Sequence, residues 1–560
     1  MITGDGDYDF IVVGGGSAGC ALARRLSDDP ENRVLLIEAG DDELFSPSFA
    51  NFLPKLKVRI PAGFAHLMDD PRVSWLYTSE PDEAAGGRIH KFPRGKILGG
   101  SSAINGLAYV RGMPSDYDTW AQLGCTGWSW NDVAPLFSRF ESMAGTPSDG
   151  RGDLRIERFP ERYPSIDAFL SACTEAGLKR NTDINGEVEE GLNYSWQTSR
   201  RGLRQSSAAA FLRGVRGRRN LCIETRALAE KVLLNGAVAT GVRYRQNGRV
   251  IDAAARREVI LCGGVINSPQ LLQLSGIGDP QHLAQIGIPA AISSPEVGRN
   301  FQDHYAVSLQ LRLKPGSHSI NSSSRGLGLA WELARFALQR RGTLAGASVM
   351  CTGYLRSVPE ADIPDLQAFA SAGNIDYEET ARRGRVVLGA EPGFSFTAYV
   401  ARPQSRGTVM ARSSNPAEYP SIRPQFLTAE YDRHTTVAMV RRLDALLRQP
   451  SMERIIGRYL PPFTAELLDD EAGLLDFART FGFSTYHGSG TCRMGGDESS
   501  VVDPQLRVRG VANLRVADAS IMPRLVSGNT NAASIMIGEK AADLLRDSSF
   551  SFAEEDLIDA

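Results

Sequence analysis

The sequence predicts two architectures in one chain: an α/β Rossmann-like unit that holds a dinucleotide, and an α+β unit built on a largely antiparallel sheet. Three observations carry this. The 560 residues exceed what one hydrophobic core supports, since cores stop growing beyond about 250–300 residues. Between Phe10 and Ile37 an apolar run, a glycine-rich turn, a helical stretch and a second apolar run follow one another. From about 311 to 464 the chain breaks into short apolar runs separated by proline and glycine, the pattern of an antiparallel sheet with helices alongside.

Phe10–Val13 is a short apolar run suited to a buried parallel strand. Ala18–Leu26 has helical periodicity, and Val34–Ile37 is a second apolar strand ending at Glu38, which completes a βαβ unit. The turn, Gly14-Gly15-Gly16-Ser17-Ala18-Gly19, satisfies Gly-x-Gly-x-x-Gly. Gly14 permits the tight turn, Gly16 lets a pyrophosphate approach the backbone, and Gly19 lets helix and strand pack closely. The free N–H groups and positive dipole end of the helix then hold an anion. Glu38 stands where a carboxylate accepts from ribose hydroxyls and repels a 2′-phosphate, so an NADP-type ligand is disfavoured. The motif leaves NAD and FAD both open.

Further along, Val349–Leu355 and Phe394–Val400 read as strands and Tyr431–Leu447 as an amphipathic helix. A strand at Leu514–Ala517 and a helix at Ala532–Arg546 follow, and the acidic tail after Asp547 reads as a solvated end.

Hydrophobic residues make up 42% and charged residues 23%, with a formal net charge of −3 and no long run of Lys or Arg. That balance favours a neutral small molecule and gives no support to nucleic acid or an acidic membrane surface as main partner. The seven cysteines, Cys20, Cys125, Cys173, Cys222, Cys262, Cys351 and Cys492, are scattered without a Cys-x-x-Cys pair. This suits a reducing compartment and argues against a disulfide framework or a zinc site. The N-terminus lacks the layout of a signal peptide, and no apolar stretch nears the roughly 20 residues that span a bilayer. A cytoplasmic location is expected. No His-Glu-x-x-His cluster points to a metal, and outside the dinucleotide turn, where Gly15-Gly16-Ser17-Ala18-Gly19 also fits the spacing, no Gly-x-Ser-x-Gly elbow supports a hydrolase.

Four further blocks resemble the glucose–methanol–choline (GMC) oxidoreductase family. They are Arg94-Gly95-Lys96-Ile97-Leu98-Gly99-Gly100-Ser101-Ser102-Ala103-Ile104-Asn105-Gly106, Gly264 to Leu272 running on to Gly278, Val297 to His304, and Leu514 to Pro523. Val265 departs from the small residue usual at its place. The resemblance spans Tyr8 to about Leu545 and implies FAD. It implies a Rossmann-like FAD-binding domain assembled from discontinuous segments, 1–158, 211–310 and 465–560, and an α+β substrate domain from 159–210 and 311–464. The Gly99–Ser102 loop offers successive N–H groups able to cradle phosphate or a flavin edge, and Asn105 is placed to bond the isoalloxazine region. By resemblance the cofactor contacts extend to Gly106, Leu107, Ala108, Trp75, Ala229, Asp518, Ala519, Thr530 and Asn531, beside Gly14, Gly16, Ser17, Ala18, Gly19, Glu38, Arg94, Gly99 and Ser101. Some members attach FAD through a His two residues before the end of the first block; here that position is Ile104, so the resemblance implies non-covalent FAD.

Tyr486-His487-Gly488-Ser489-Gly490-Thr491-Cys492-Arg493-Met494-Gly495 is similar to the family's active-site block, which places its catalytic His at His487. Gly488 replaces the Pro often found there. Ser527-Gly528-Asn529-Thr530-Asn531 resembles the block supplying a second catalytic group, His or Asn; counting from Asp518 gives Asn529, with Asn531 as the neighbouring alternative. An alcohol loses its hydroxyl proton as its carbon gives hydride to flavin N5. A neutral imidazole accepts that proton, and an amide supplies a donor to the same oxygen. His304 reads as ordering a loop. Thr485 stands where some oxidases carry a small apolar residue, which leans the reading to a dehydrogenase passing electrons to a quinone or another acceptor, with O₂ as alternative. Non-redox lyases and light-driven decarboxylases share the fold; the latter replace the His. Phe369, Phe394, Phe396 and Tyr399 are candidate pocket aromatics. Oligomeric state is not legible.

Overall fold

The computed structural model describes residues 7–42, 52–181, 183–186, 189–383 and 386–547; the acidic tail lies outside them. Two sheets organise the chain. Numbered along the sequence, the parallel strands of the first stand in the order 3-2-1-4-5: Leu221–Glu224, Val34–Ile37, Tyr8–Val13, the end of Arg249–Leu261, and Leu514–Val516. The early part of Arg249–Leu261 instead pairs antiparallel with Val238–Gln246, which pairs in turn with Ala227–Asn235. Val34–Ile37 is buried at every position, the pattern of a parallel strand covered on both faces. Because these strands are parallel, Gly14, Glu38, Cys262 and Ala517 follow their ends at one edge of the layer. Open α/β layers bind ligands there, where the strand order reverses.

Helix Ser17–Leu26 leaves that edge and packs on the last helix, Thr530–Asp547. The contact is close because Gly538 has no Cβ; one there would lie 2.4 Å from the Ala18 carbonyl oxygen. Arg25 Nε donates to buried Glu539 at 2.9 Å across the same contact.

The second sheet has eight strands, in the order Ile456–Tyr459, Tyr305–Leu313, Gly393–Val400, Leu366–Ser371, Cys351–Leu355, Gly191–Tyr194 and Lys179–Arg180, with Phe483–Ser484 added beside Tyr305. All pairs but the last along that order are antiparallel. Alternation sorts its side chains. Phe394, Phe396 and Ala398 join the core that also holds Phe169 and residues of helix Glu430–Leu447. Ser395 and Thr397 face the other way, opposite Gln310 and Ser308 in the pairing register. Strand Tyr305–Leu313 runs across position 310, where the sequence reading divides its segments, and helix Glu471–Phe481 sends Leu474, Phe477 and Ala478 into this second core.

Candidate active site

A cavity of about 1370 Å³ reaches from the glycine turn to the polar face of the second sheet. That exceeds the ~300–1,000 Å³ of an ordinary ligand pocket, which leaves room for a nucleotide and a small substrate together.

The three motif glycines differ in what surrounds them. Gly14 has φ +107°, and a Cβ there would lie 2.4 Å from the Cys262 carbonyl oxygen. A Cβ on Gly19 would lie 2.0 Å from the Gly14 carbonyl oxygen, so this position serves packing and lies off the cavity wall. At Gly16 the nearest atom would be 3.9 Å away, and the residue lines the cavity. Gly16 also starts helix Ser17–Leu26 with no side-chain cap, so its first amides remain open to an anion. Glu38 accepts from Gly15 N at 2.9 Å and Gly40 N at 2.8 Å, which pins the carboxylate under the turn. Burial pushes it up to about 7, against the pull of those two amides.

Arg94 is a second marker. Its Nη2 donates to the Tyr486 carbonyl at 2.5 Å, while its buried Nε has no partner among the described residues. Gly106 and Gly264 line the same wall, with nothing within 4 Å of where a Cβ would sit. An orphaned guanidinium donor, open glycines and an uncapped helix start fit an anionic dinucleotide lying along this end.

The other end is set by strand pairing. Phe483–Ser484 pairs with Tyr305–Ala306, and Ser489 pairs with Gln302. Between those points the chain from Thr485 to Gly488 faces only Asp303 and His304, so the longer side bulges out of the ladder. Tyr486 takes φ +65° within the bulge, and His487 projects into the cavity. Asp303 ties the two sides together. Its Oδ1 accepts from His304 N at 2.8 Å and His487 N at 2.7 Å, and its Oδ2 accepts from Ser484 Oγ. Burial raises Asp303 to about 6.

A backbone carbonyl fixes the protonation pattern. Ala401 O lies 3.0 Å from His304 Nε2 and can only accept, so His304 carries its hydrogen on Nε2 and a lone pair on Nδ1. His304 Nδ1 is 3.0 Å from His487 Nδ1, which must then donate. Thr485 Oγ1, 2.9 Å from the same nitrogen, gives its own hydrogen to the His304 carbonyl at 3.1 Å and offers only lone pairs back. The hydrogen of His487 therefore sits on Nδ1, and Nε2 accepts from Asn529 Nδ2 at 2.9 Å. Burial, then His304 and Arg94, hold His487 well below the ordinary imidazole value; burial first holds His304 down at about 3. The arrangement is a neutral imidazole in the cavity wall whose one lone pair is held by an amide donor.

Of the residues singled out in the sequence, His487, Asn529, Gly14, Gly16, Ser17, Ala18, Glu38, Trp75, Arg94, Ser101, Asn105, Gly106, Leu107, Ala108, Ala229, Asp518, Ala519, Thr530 and Asn531 line this cavity. Gly99 does not: its N–H goes to Gly15 O at 2.7 Å and that of Gly100 to Ile97 O at 2.7 Å, so these two amides are not free for a ligand. Asn105 turns its Oδ1 to Leu107 N and Arg204. Asn529 meets His487, whereas Asn531 Oδ1 accepts from Ser17 Oγ at 2.7 Å and joins two helix starts. Among the aromatic candidates Phe369 lines the cavity, but Phe394 and Phe396 belong to the opposite core, and Tyr399 stacks on His304 with centroids 4.2 Å apart. His304 does more than order a loop, since its ring holds His487. The sequence reading passed over the residues in register with Phe369, namely Ser308, Thr397 and Thr352, and over the row Gln310, Ser395, Ser371 beside them. Strict alternation in Gly393–Val400 was the available signal.

An open glycine turn at a strand-order reversal, facing a neutral imidazole across one cavity, defines a dinucleotide-dependent two-sheet enzyme. The chain belongs to the GMC oxidoreductase family, whose N-terminal model matches residues 8–306 and whose C-terminal model matches 403–538. It is 39% identical to human mitochondrial choline dehydrogenase over 552 residues, covering 96% of this chain and 90% of that one. With the alcohol dehydrogenase [acceptor] of Pseudomonas putida it shares 38% over 554 residues, 96% of this chain and 95% of the other. The solved structure of Aspergillus oryzae formate oxidase, studied for the modification of its FAD, superposes with a TM-score of 0.87 at 25% identity, covering 98% and 99% of the two chains. Among the described residues no helix is long and apolar enough to cross a membrane, and no group of His, Cys, Asp or Glu forms a metal cluster.

Proposed function

We propose that this protein binds FAD without a covalent bond and oxidises a primary alcohol to an aldehyde, passing the electrons to a quinone or another acceptor. The observation that carries the reading is the pair His487 Nε2 and Asn529 Nδ2, 2.9 Å apart in the cavity wall. A hydroxyl oxygen that takes the place of this hydrogen bond donates its proton to the imidazole and accepts from the amide. FAD, when bound, supplies the hydride acceptor at its N5. Segments 1–158, 211–310 and 465–560 are assigned to the cofactor part and 159–210 and 311–464 to the substrate part. Gly16, Ser17, Glu38 and Arg94 would hold the dinucleotide, and the relatives named for dehydrogenases support the acceptor reading.

The cavity wall also bears on substrate charge. Among the described residues its carboxylates are Glu38 and Asp518, both at strand ends of the first sheet, whereas Arg325 and Arg383 line the second-sheet end. Asp518 is engaged by Gly264 N, Ser268 Oγ and Ser520 N. A neutral alcohol suits that wall better than a quaternary ammonium, which needs an anionic or aromatic cage. The test is anaerobic mixing with neutral alcohols and choline, followed by turnover with a dye and under air. Bleaching by a neutral alcohol and faster turnover with dye are expected. A flavin left oxidised by every alcohol overturns the oxidation, and peroxide formed as fast as dye is reduced overturns the acceptor preference.

Two smaller results follow. Ile104 is a buried hydrocarbon in the cavity wall and offers no nucleophile to a flavin methyl group, so acid precipitation releases yellow cofactor into the supernatant. Colour retained in the pellet contradicts this. Second, His304→Phe keeps a ring against Tyr399 but removes one of the two acceptors of His487 Nδ1–H, leaving Thr485 Oγ1. A reduction slower by up to about tenfold is expected, the net worth of one hydrogen bond. The acid limb of the pH profile moves up as well, because His304 is among the groups holding His487 down. A variant with unaltered rate and limb removes His304 from this role.

A further inference from the structure

Helix Gly326–Gln339 is built inside out. An ordinary surface helix turns its apolar stripe to the core, yet here Leu327 is 91% exposed, Leu338 84%, Trp331 65% and Leu333 52%. Positions 327, 331, 334 and 338 recur at helical spacing, so Leu327, Trp331, Ala334 and Leu338 form one outward stripe. The inward side is held by a polar clamp. Buried Glu332 accepts from Thr343 N at 2.6 Å and from Arg335 Nη1 at 3.2 Å, and Arg335 Nη2 reaches Glu161 at 3.0 Å. Phe336 is buried beside it. The outward face is thus fixed by its underside, and a contiguous exposed apolar face of this kind marks an interaction site.

We infer that this helix docks on an anionic lipid surface, lying in the plane of the headgroups. Charge decides the occupant. Glu332 is the helix's one acidic residue and it is buried, while Arg325, Arg340 and Arg341 stand exposed at its two ends. A second copy packed symmetrically on the same face would bring these arginines together, as a self-complementary contact must. Anionic headgroups instead satisfy them, and leucines with a central tryptophan suit the boundary below. At 14 residues the helix is shorter than the roughly 20 that span a bilayer. A whole-chain charge of −3 conceals this patch, because docking responds to local charge within about a Debye length.

The face adjoins the cavity. Arg325, Leu329, Arg383 and Val386 line it and are exposed, and Arg325 Nη2 donates to Leu388 O at 2.7 Å, tying the helix start to that rim. Docking sets this opening at headgroup depth, within reach of an amphiphilic molecule dissolved in the bilayer.

Co-sedimentation of the holoenzyme with vesicles of phosphatidylcholine plus phosphatidylglycerol, against phosphatidylcholine alone, tests the inference. Binding to the mixed vesicles is expected, with loss of binding in the double variant Leu327→Glu, Leu338→Glu and weakening in Arg340→Glu, Arg341→Glu. The flavin spectrum and turnover with a soluble dye are unchanged in both, which shows the fold intact independently of the vesicle result. Trp331 emission shifts to the blue on binding, a change absent from Trp331→Phe. Failure to sediment with the mixed vesicles, or sedimentation unaltered in the leucine variant, overturns the inference. So does a wild-type dimer that the leucine variant converts to monomer, since the face then belongs to a second copy.

Discussion

Replacing His487 by alanine slows anaerobic bleaching of the flavin by alcohol on the order of 10²–10⁴-fold, the contribution of a positioned general base, while the cofactor stays bound. Retention follows from what holds each part. The loop is anchored by the backbone N–H of His487 on Asp303 Oδ1 at 2.7 Å, a bond that alanine keeps. The dinucleotide end is shaped by Gly14, Gly16 and Glu38, none of which the imidazole touches. Stopped-flow reduction measured with the bound-flavin spectrum separates the two effects. Bleaching at the wild-type rate eliminates the imidazole as base, and loss of colour shows that it also shapes the cofactor site.

The same residue sets the pH response. In the proposed reaction the form that takes a proton is neutral, and burial with His304 and Arg94 nearby lowers its folded-state pKa well below 6.5. A lowered value keeps the neutral form populated as pH falls through 6.5, so the reduction rate stays level from neutral pH to below that point and declines only on the acid side of it. The sign carries into stability. The unfolded chain binds protons at His487 and His304 near pH 6.5 while the folded one does not, so these residues contribute less stability as pH drops below that value. Asp303, raised to about 6, and Glu38, raised to about 7, act in the opposite sense, because each holds a proton in the folded state at a pH where the unfolded carboxylate has lost it. An acid limb at or above 6.5 contradicts the buried environment of His487.

How much of this was legible beforehand depended on distance along the chain. The βαβ unit is local, and the strand, turn, helix and strand stand where periodicity put them, with the strand starting at Tyr8 and the helix at Ser17. The roles of Gly14 and Gly19 were equally readable, because each follows from backbone geometry inside one turn. The contact that holds His487 was not. His304 and His487 lie 183 residues apart and meet through a two-residue strand, Phe483–Ser484, too short to signal its partner. Glycine composition misled at Gly99, where the amides close onto Gly15 and Ile97 inside the protein. Aromatic content misled at Phe394 and Phe396, where parity decided the face and the small polar Ser395 and Thr397 took the cavity side. Helix Gly326–Gln339 marks another limit, since its leucines carry the same periodicity whether the stripe faces in or out.

Asn529→Ala is expected to lower turnover about 10²–10³-fold, corresponding to the 2.7–4 kcal/mol typical of one donor to a developing oxyanion. The loss falls on kcat more than on KM, because the amide is needed most when the hydroxyl has given up its proton. Position and chemistry can be told apart here. Asn529 immediately precedes helix Thr530–Asp547, whose start is fixed by Ser17 Oγ on Asn531 Oδ1 at 2.7 Å, so alanine at 529 leaves the surrounding backbone held. Asn529→Asp keeps the shape but sets a carboxylate where Nδ2 stood, 2.9 Å from His487 Nε2. It cannot donate when ionised, and an adjacent negative charge raises the imidazole pKa, so this variant loses rate and moves its acid limb upward. Asn529→His restores an N–H and recovers part of the rate. Steady-state kinetics across pH on the three variants distinguish a lost donor from a disturbed loop. Equal losses in all three, with the limb unmoved, mean that the amide serves only packing, and a silent Asn529→Ala beside a damaging Asn531→Ala transfers the second group to position 531.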